Sequence, residues 1–499
     1  MRVPATLPQQ ALMMLHGSRN DARRLLGVFR FSQARTIAAT VVCLALALAA
    51  AFLPEYEGLS PAGRRALFVL LFSAGMWITE AIPAFATSLM AIGLLIVTLG
   101  RPGDVFANGP KDWEVFIEPW GSPLIWLFFG GFCLAASAEK TGLDRWLAAR
   151  ALGAFGQKPA MLLMGVMLVT AGLSMFISNT ATATLVLAML TPLFASRDAD
   201  DPLPKALALG VAFAANLGGM GTIIGSPPNA IAAGLLDDVA PVDFAQWMII
   251  AVPPATALMV IAWGYVVTVY LGLGESAFVE SDEVLFQAER AANPIPRWRQ
   301  MAVVGTFTVT VGLWITSPWH GLPTTLVSFV PITVLTATGT LTGEDIRRLP
   351  WDILLLITGG LSLGVAMEET GLAAWAVDQL PIYGWAPVLM ALAFAYATVV
   401  MSNLMSNTAT ANLVLPIAIA VLESTAGADV RLAVPVALAA SAAMCLPIST
   451  PPNAIVYGSG HVKAKDLIGG GVLVGLLAVP LVLLWARLVL PMIEASPID

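Results

Sequence analysis

Charged residues are scarce in this sequence of 499 residues. Asp, Glu, Lys and Arg make up 11% of it, where a soluble domain carries about 25%. With 58% of residues hydrophobic and a mean hydropathy of +0.82, composition alone marks a membrane protein. Cysteine and histidine are nearly missing as well. Cys43, Cys133 and Cys445 are an odd count, each inside an apolar run, and match no disulfide or metal spacing. His16, His320 and His461 are scattered and form no metal cluster. No span carries a Ser/His/Asp set, so a membrane-embedded enzyme lacks its nucleophile. A secretory signal is lacking too: the first apolar run starts near Thr36, after 35 residues with six arginines and one acid, Asp21. Residues 1–36 therefore read as a cytoplasmic arm.

Long apolar runs are what the sequence has in abundance. Crossing a hydrocarbon core takes about 20 apolar residues. Eleven runs qualify, near 37–53, 65–82, 84–100, 120–138, 205–240, 245–273, 300–317, 321–340, 351–368, 431–458 and 467–491, with 205–240 and 431–458 broken by polar and proline residues. Two further regions, 159–195 and 385–422, are too long to cross once, at roughly 60 Å of helix. Each has a polar cluster near its middle, and 180–195 is only 16 residues. A re-entrant hairpin folded at the cluster is the expectation for both.

Charge placement sets the orientation. With the N-terminus inside, 19 of the 25 Lys and Arg fall on cytoplasmic segments, Lys140, Arg145, Arg150 and Lys158 among them. The opposite loops are acidic, with Asp104, Asp112, Glu114 and Glu118, then Asp237, Asp238 and Asp243, then Glu368 and Glu369. The C-terminus then lies outside. Residues 37–64 are the first span and its outer loop, and 274–299 a cytoplasmic linker.

The halves on either side of that linker repeat. "LIWLFFGGFCLAASAEKTGLDRWLAA" (124–149) lines up without gaps on "ILLLITGGLSLGVAMEETGLAAWAVD" (353–378). Shared positions include Gly130-Gly131 with Gly359-Gly360, Thr141-Gly142-Leu143 with Thr370-Gly371-Leu372, and Trp146 with Trp375. Upstream, "MWITEAIPAFATSL" (76–89) resembles "LWITSPWHGLPTTL" (313–326). Downstream, "SNTATA" occurs at 178–183 and 406–411, and "GSPPNAI" (225–231) answers "STPPNAI" (449–455). Four blocks in one order, at offsets between 224 and 240, mark an internal repeat. Each half, 65–273 and 300–499, holds five spans and one hairpin. An odd span count inverts one half against the other, the pattern of secondary transporters with a site near the midplane.

The polar clusters have a chemistry of their own. Irregular backbone inside a membrane is tolerated only under protein cover or beside a water-filled cavity. The tips at Asn179 and Asn407 and the breaks at 216–229 and 445–453 therefore belong at the protein's centre. Freed carbonyls, Asn oxygens and Ser hydroxyls are hard donors for a small cation. The helices that restart after each tip offer unpaired N–H groups to an anion, with Thr180 and Thr408 at their starts. No Lys or Arg lies near any cluster to neutralise that anion, so its charge falls to helix ends and bound cations. Coupled cation–anion transport follows. No Asp or Glu lies there either, which argues against a carboxylate proton relay.

The paired Ser-Asn-Thr motifs, each followed by a "[ST]PPN" break, resemble the divalent anion/sodium symporter family of di- and tricarboxylate and sulfate transporters. The resemblance runs from the second span onward. It implies a homodimer whose protomers each slide a transport part against a scaffold part as an elevator. It implies a first sodium clamp of Ser174, Ser178, Asn179 and Gly225. The second would use Ser402, Met405, Asn407 and Ser449, with Met405 and Ser449 contributing backbone carbonyls. Substrate carboxylates would be held by Asn179, Thr180 and Ser226 from one half, and by Asn407, Thr408, Thr450 and Pro451 from the other. The expected protein is an all-α polytopic bacterial inner-membrane transporter with no organic cofactor. Its expected activity is sodium-coupled uptake of succinate, malate or fumarate. A sulfate or other oxyanion symporter, a tricarboxylate symporter and a sodium-independent dicarboxylate exchanger share the same motifs.

Overall fold

The structure is a computed structural model that describes Ala34, residues 36–152, Phe155, and residues 158–198, 200–272, 296–380, 385–425 and 427–494. The arm through residue 33 and most of the 274–299 linker lie outside the described residues. Among those described there is no strand. The first helix, α1, is Thr36–Phe52. Among the described residues, two series of nine helices follow. The first is α2 Pro61–Thr79, α3 Ala84–Leu99, α4 Pro123–Thr141, α5 Leu143–Leu152, α6 Pro159–Ser174, α7 Asn179–Ala195, α8 Pro202–Gly219, α9 Pro227–Leu236 and α10 Phe244–Val266. The second is α11 Arg297–Ile315, α12 Thr324–Ala337, α13 Trp351–Glu369, α14 Leu372–Gln379, α15 Pro387–Leu404, α16 Asn407–Glu423, α17 Ala433–Ser441, α18 Pro451–Gly458 and α19 Ala464–Glu494. Helical pieces of five residues or fewer join them.

Local chemistry explains the boundaries. Proline opens α2, α4, α6, α8, α9, α15 and α18, where its missing N–H has no intrahelical partner to lose and its φ is already helical. The regions 159–195 and 385–422 each divide at the Ser-Asn-Thr cluster, into α6 and α7 and into α15 and α16. Both broken runs divide as well, α8 from α9 and α17 from α18. Helices α5 and α14 lie outside every expected span. Each starts after a glycine in the left-handed region, Gly142 at φ 64° and Gly371 at φ 73°. That conformation, which glycine adopts at no Cβ cost, accounts for the repeated Thr-Gly-Leu.

Helix lengths are unequal. Among the described residues, five helices are both long and apolar enough to cross a membrane, and seven apolar ones are 10–17 residues. α3, at 16 residues, reaches about 24 Å, short of a hydrocarbon core of about 30 Å. Helices α2 and α11 have 19 residues each, but arginines near their starts lower their hydropathy. Apolar side chains face outward on many helices, as with Met301 at 73% and Leu46 at 65% exposure. A lipid-facing surface has that character.

The two series interlock. Gly130 on α4 packs on Ser328 of α12, where a Cβ would lie 2.7 Å from the Ser328 carbonyl oxygen. Gly359 on α13 packs the same way on Ser88 of α3, where a Cβ would collide with the Ser88 side chain. Each Gly-Gly pair thus admits a helix of the other half. Matching indole hydrogen bonds tie Trp77 to the Ala84 carbonyl at 3.2 Å and Trp314 to the Thr324 carbonyl at 3.1 Å. The buried apolar side chains form two clusters, a smaller one around α1–α3 and α13, and a larger one that takes in α6–α10 and α15–α19.

Candidate functional site

Both breaks are sealed by the Asn of the Pro-Pro-Asn motif. After α8 the chain leaves the helix at Met220, and Asn229 Nδ2 donates to the carbonyls of Gly219, Met220 and Thr222 at 2.9, 3.4 and 2.7 Å. Asn453 Nδ2 does the same after α17, to Met444 and Leu446 at 2.9 Å each. The Trp247 indole adds a bond to the Met220 carbonyl at 3.1 Å. Carbonyls freed by a break in apolar surroundings need such partners, and both asparagines are fully buried. The Pro-Pro pair stops the incoming helix and starts the next, and Asn satisfies what the stop releases.

The first tip closes on the first break. Ser174 ends α6 and is buried; its Oγ lies 2.6 Å from Asn179 Oδ1 and 2.7 Å from the Ala215 carbonyl on α8. One hydroxyl hydrogen cannot serve both. With its amide nitrogen turned inward, Asn179 donates to Ser174 Oγ at 2.6 Å, the Ala215 carbonyl at 3.2 Å and the Gly225 carbonyl at 3.3 Å. With its oxygen inward, it faces only acceptors. Thr222 donates to the Met175 carbonyl and fastens tip to break. Ser174, Asn179 and Gly225 are therefore brought together. Ser178 is committed elsewhere: exposed, it caps α7 by accepting from the Ala181 N–H at 3.3 Å.

The second tip is built differently. Ser449 meets Asn403, at 3.0 Å from its Oδ1 and 3.3 Å from its carbonyl, and Asn403 Oδ1 also accepts from the Cys445 N–H at 2.8 Å. Asn403 thus bridges tip and break, where the first tip uses Asn179. Asn407 opens α16, and its Oδ1 is buried without a partner, as is the Oγ of fully buried Ser402. Met405 is buried in extended backbone at the end of α15. Ser406 caps α16 at 3.2 Å from the Ala409 N–H.

The residues expected to hold substrate are spread over four helix starts. Thr180 is exposed at the head of α7, and Thr408 is buried at the head of α16. Ser226 and Thr450, each 3% exposed, are the N-caps of α9 and α18, and Pro451 is exposed beside Thr450. The two breaks are joined across the halves. Asn216 on α8 donates to Thr450 Oγ1 at 3.1 Å and to Asn453 Oδ1 at 3.2 Å, and Ser441 on α17 donates to Ser226 Oγ at 3.2 Å. Sequence reasoning missed Asn216, Ser441 and Asn403 as site residues. For Asn403 the signal was its place in "MSNLMSNT", where a second Ser-Asn stands one turn before the repeated one.

Tip, break, break and tip form one hydrogen-bonded polar line through the protein. The ion pairs among the described residues all lie elsewhere. A line of neutral oxygens and helix N-termini inside an apolar helical body suits the passage of small ions, and not a bond-breaking reaction. The class these features define is a polytopic membrane transporter.

Comparison with known proteins places it further. The family described as "Sodium:sulfate symporter transmembrane region" matches residues 34–493. The chain is 31% identical over 467 residues to the "Sodium-dependent dicarboxylate transporter SdcS" of Staphylococcus saprophyticus, covering 87% of this chain and 88% of that protein. Its counterpart in Staphylococcus aureus is 31% identical over 464 residues, covering 87% of each. Among solved structures, the YdaH transporter of Alcanivorax borkumensis superposes with a TM-score of 0.54 at 13% identity, covering 83% of this chain and 98% of that one. It supports the fold. The chain belongs to the sodium:sulfate symporter family, as its motifs led us to expect, and is a secondary transporter of the bacterial plasma membrane.

Proposed function

We propose that the protein takes up small dicarboxylates, such as succinate, malate or fumarate, together with sodium. The observation that carries the sodium part is the Asn179 amide, set among Ser174 Oγ, the Ala215 carbonyl and the Gly225 carbonyl. With its nitrogen inward the amide donates to these three oxygens; turned over, Asn179 Oδ1 joins them as a fourth oxygen, and a cation then replaces the lost hydrogens. The same need arises at the second tip, where Asn407 Oδ1 and Ser402 Oγ are buried and unpartnered. Sodium, here a transported substrate, would take Ser174, Ser178, Asn179 and Gly225 in one clamp and Ser402, Met405, Asn407 and Ser449 in the other. Because Ser449 Oγ is held by Asn403, Ser449 would contribute its backbone carbonyl, and the Ser178 carbonyl, which already accepts from the Thr182 N–H at 2.9 Å, would contribute its second lone pair.

The anion would lie between the tips, held by Asn179, Thr180 and Ser226 and by Asn407, Thr408, Thr450 and Pro451. The dicarboxylate choice rests on the relatives, whose names state that substrate. An anion with no cationic side chain beside it binds poorly until the cations are present, which is how the two fluxes become coupled.

The wider reading follows the repeat. The two series of nine helices form an inverted repeat of eleven spans and two re-entrant hairpins, with the N-terminus inside and the C-terminus outside. The protomer works as an elevator within a homodimer. Supporting this are the matched helix order, the paired Gly142 and Gly371 turns, and the crossed Gly-Gly contacts. The deciding experiment is uptake of radiolabelled succinate into proteoliposomes, with and without a sodium gradient, and with sulfate as competitor. Sodium-driven uptake that excess sulfate leaves unchanged is expected. Uptake indifferent to sodium would remove the symport reading, and accumulation of sulfate in place of succinate the dicarboxylate one.

A further inference from the structure

The crossed contacts between the breaks fix more than position. Asn453 commits both hydrogens of its Nδ2 to the Met444 and Leu446 carbonyls, so the oxygen it turns toward Asn216 can only accept. Asn216 must therefore present its nitrogen, at 3.2 Å from Asn453 Oδ1 and 3.1 Å from Thr450 Oγ1. Thr450 Oγ1 also accepts from the Asn453 N–H at 3.4 Å. A hydroxyl has two acceptor sites and one hydrogen. Both acceptor sites of Thr450 are filled, and its hydrogen has no acceptor among the described residues. Ser441 acts likewise in the other half: its hydroxyl donates to Ser226 Oγ at 3.2 Å, which turns the Ser226 hydrogen away from Ser441. All four side chains are at most 3% exposed, so water does not rescue a wrong orientation.

We propose that Asn216 and Ser441 are positioning residues that fix the polarity of the anion site. Each forces a hydroxyl of the opposite half, that of Thr450 or Ser226, to donate its hydrogen toward a bound carboxylate. The proposal rests on Thr450 and Ser226 as substrate donors. It explains why the two residues reach across the repeat: a donor oriented from its own half would depend on that half's break alone, whereas a crossed donor exists only when both breaks are seated. Substrate selection and the assembly of the two halves then share the same bonds.

Two mutant cycles test it, with initial rates of succinate uptake at saturating sodium in proteoliposomes. One cycle pairs Asn216→Ala with Thr450→Val, and the other pairs Ser441→Ala with Ser226→Ala. Each single change should raise the succinate KM about 10-fold, the scale of one hydrogen bond to a charged group. Each double variant should be no worse than the poorer single, because the positioning residue acts only through its hydroxyl. Asn216→Asp should be poorer than Asn216→Ala, since a carboxylate there accepts the Thr450 hydrogen and withdraws it from the substrate. Ser441→Thr, which keeps the donor, should restore the KM. Multiplying KM penalties in the doubles, or a fall in Tm with KM unchanged, would overturn the proposal. Should Asn216→Ala fail to fold, the Ser441 cycle decides alone. Wild-type protein without sodium-dependent uptake would instead defeat the transport reading, before any variant is compared.

Discussion

Gly219→Ala tests the first cation clamp with a single methyl group. Gly219 is the last residue of α8, and a Cβ built on it would collide with Asn179 Oδ1 and lie 2.7 Å from its Nδ2. Ordinary contact distances are about 3.5–4.0 Å, so the amide must retreat by about 1 Å. Its approaches to Ser174 Oγ, the Ala215 carbonyl and the Gly225 carbonyl, now 2.6, 3.2 and 3.3 Å, lengthen together. Losing one charge-assisted ligand costs about 1.5–3 kcal/mol, which is roughly a 10- to 150-fold rise in the sodium concentration for half-maximal uptake. Helix propensity works in the other direction, since Ala exceeds Gly by about 0.5–1 kcal/mol, so the variant should still fold. Gly172→Ala on α6 is the matched control, with nothing within 4 Å of its Cβ. The assay is succinate uptake across a sodium titration, beside thermal unfolding in detergent. A folded Gly219→Ala protein with an unchanged sodium half-saturation would refute the clamp at Asn179.

Other consequences can be measured in the same preparation. Asn179→Ala and Asn407→Ala should each abolish uptake while leaving the gel-filtration volume unchanged, since on the proposed reading each would remove a cation ligand and an anion donor together. Asn229→Ala and Asn453→Ala should lower stability by about 2–4 kcal/mol, because the carbonyls each one satisfies are left bare in a buried break; differential scanning fluorimetry reads this as a fall in Tm. Gly142→Ala and Gly371→Ala should each cost about 1–2 kcal/mol, as their φ of 64° and 73° strains any Cβ. On the acid side, burial works against the Asp345 carboxylate, but hydrogen bonds from Lys140 and Thr342 hold it at about 2. A carboxyl depressed on folding stabilises above its unfolded value of about 3.9 and loses that contribution as pH falls toward 2. Lys140 and Asp345 are 35% and 22% exposed, so the effect is below about 1 kcal/mol. Lys140→Met should flatten the loss of Tm between about pH 4 and pH 2.

The polar anomalies were legible in the sequence because an apolar background makes them visible. Asn179, Asn407 and the two Pro-Pro-Asn breaks stand out as groups that must be covered or used, and the repeat lends each a counterpart. Helices α5 and α14 were not legible: "LDRWLAARAL" has the charges of a loop and becomes a helix through the left-handed glycine before it. The crossing of the halves was equally hidden. A repeat says that Gly130 and Gly359 are equivalent, but not that Gly130 touches Ser328 and Gly359 touches Ser88. Equivalence is a property of one dimension, and contact of three.

The difference between the two tips shows what symmetry in sequence leaves out. At an offset of 228 residues, Asn403 stands where the first half has Met175. That substitution redistributes the work of the tip. In the first half Asn179 itself spans from tip to break, so any cation it binds competes with its bonds to Ser174, Ala215 and Gly225. In the second half Asn403 takes over the bridge to Cys445 and Ser449, and Asn407 keeps an unpartnered oxygen. A ligand already free binds without first breaking a hydrogen bond, whereas Asn179 must turn its amide. If the two tips are the proposed sodium clamps, they would enter the transport cycle unequally despite their like "SNTATA" motifs, the second ready and the first conditional. Removing the bridge of the second tip, as Asn403→Met, should leave the Cys445 N–H and the Ser449 hydroxyl without their acceptor and loosen the tip against its break, raising the sodium half-saturation. A half-saturation that falls or stays fixed in that folded variant would mean the tips differ for packing alone.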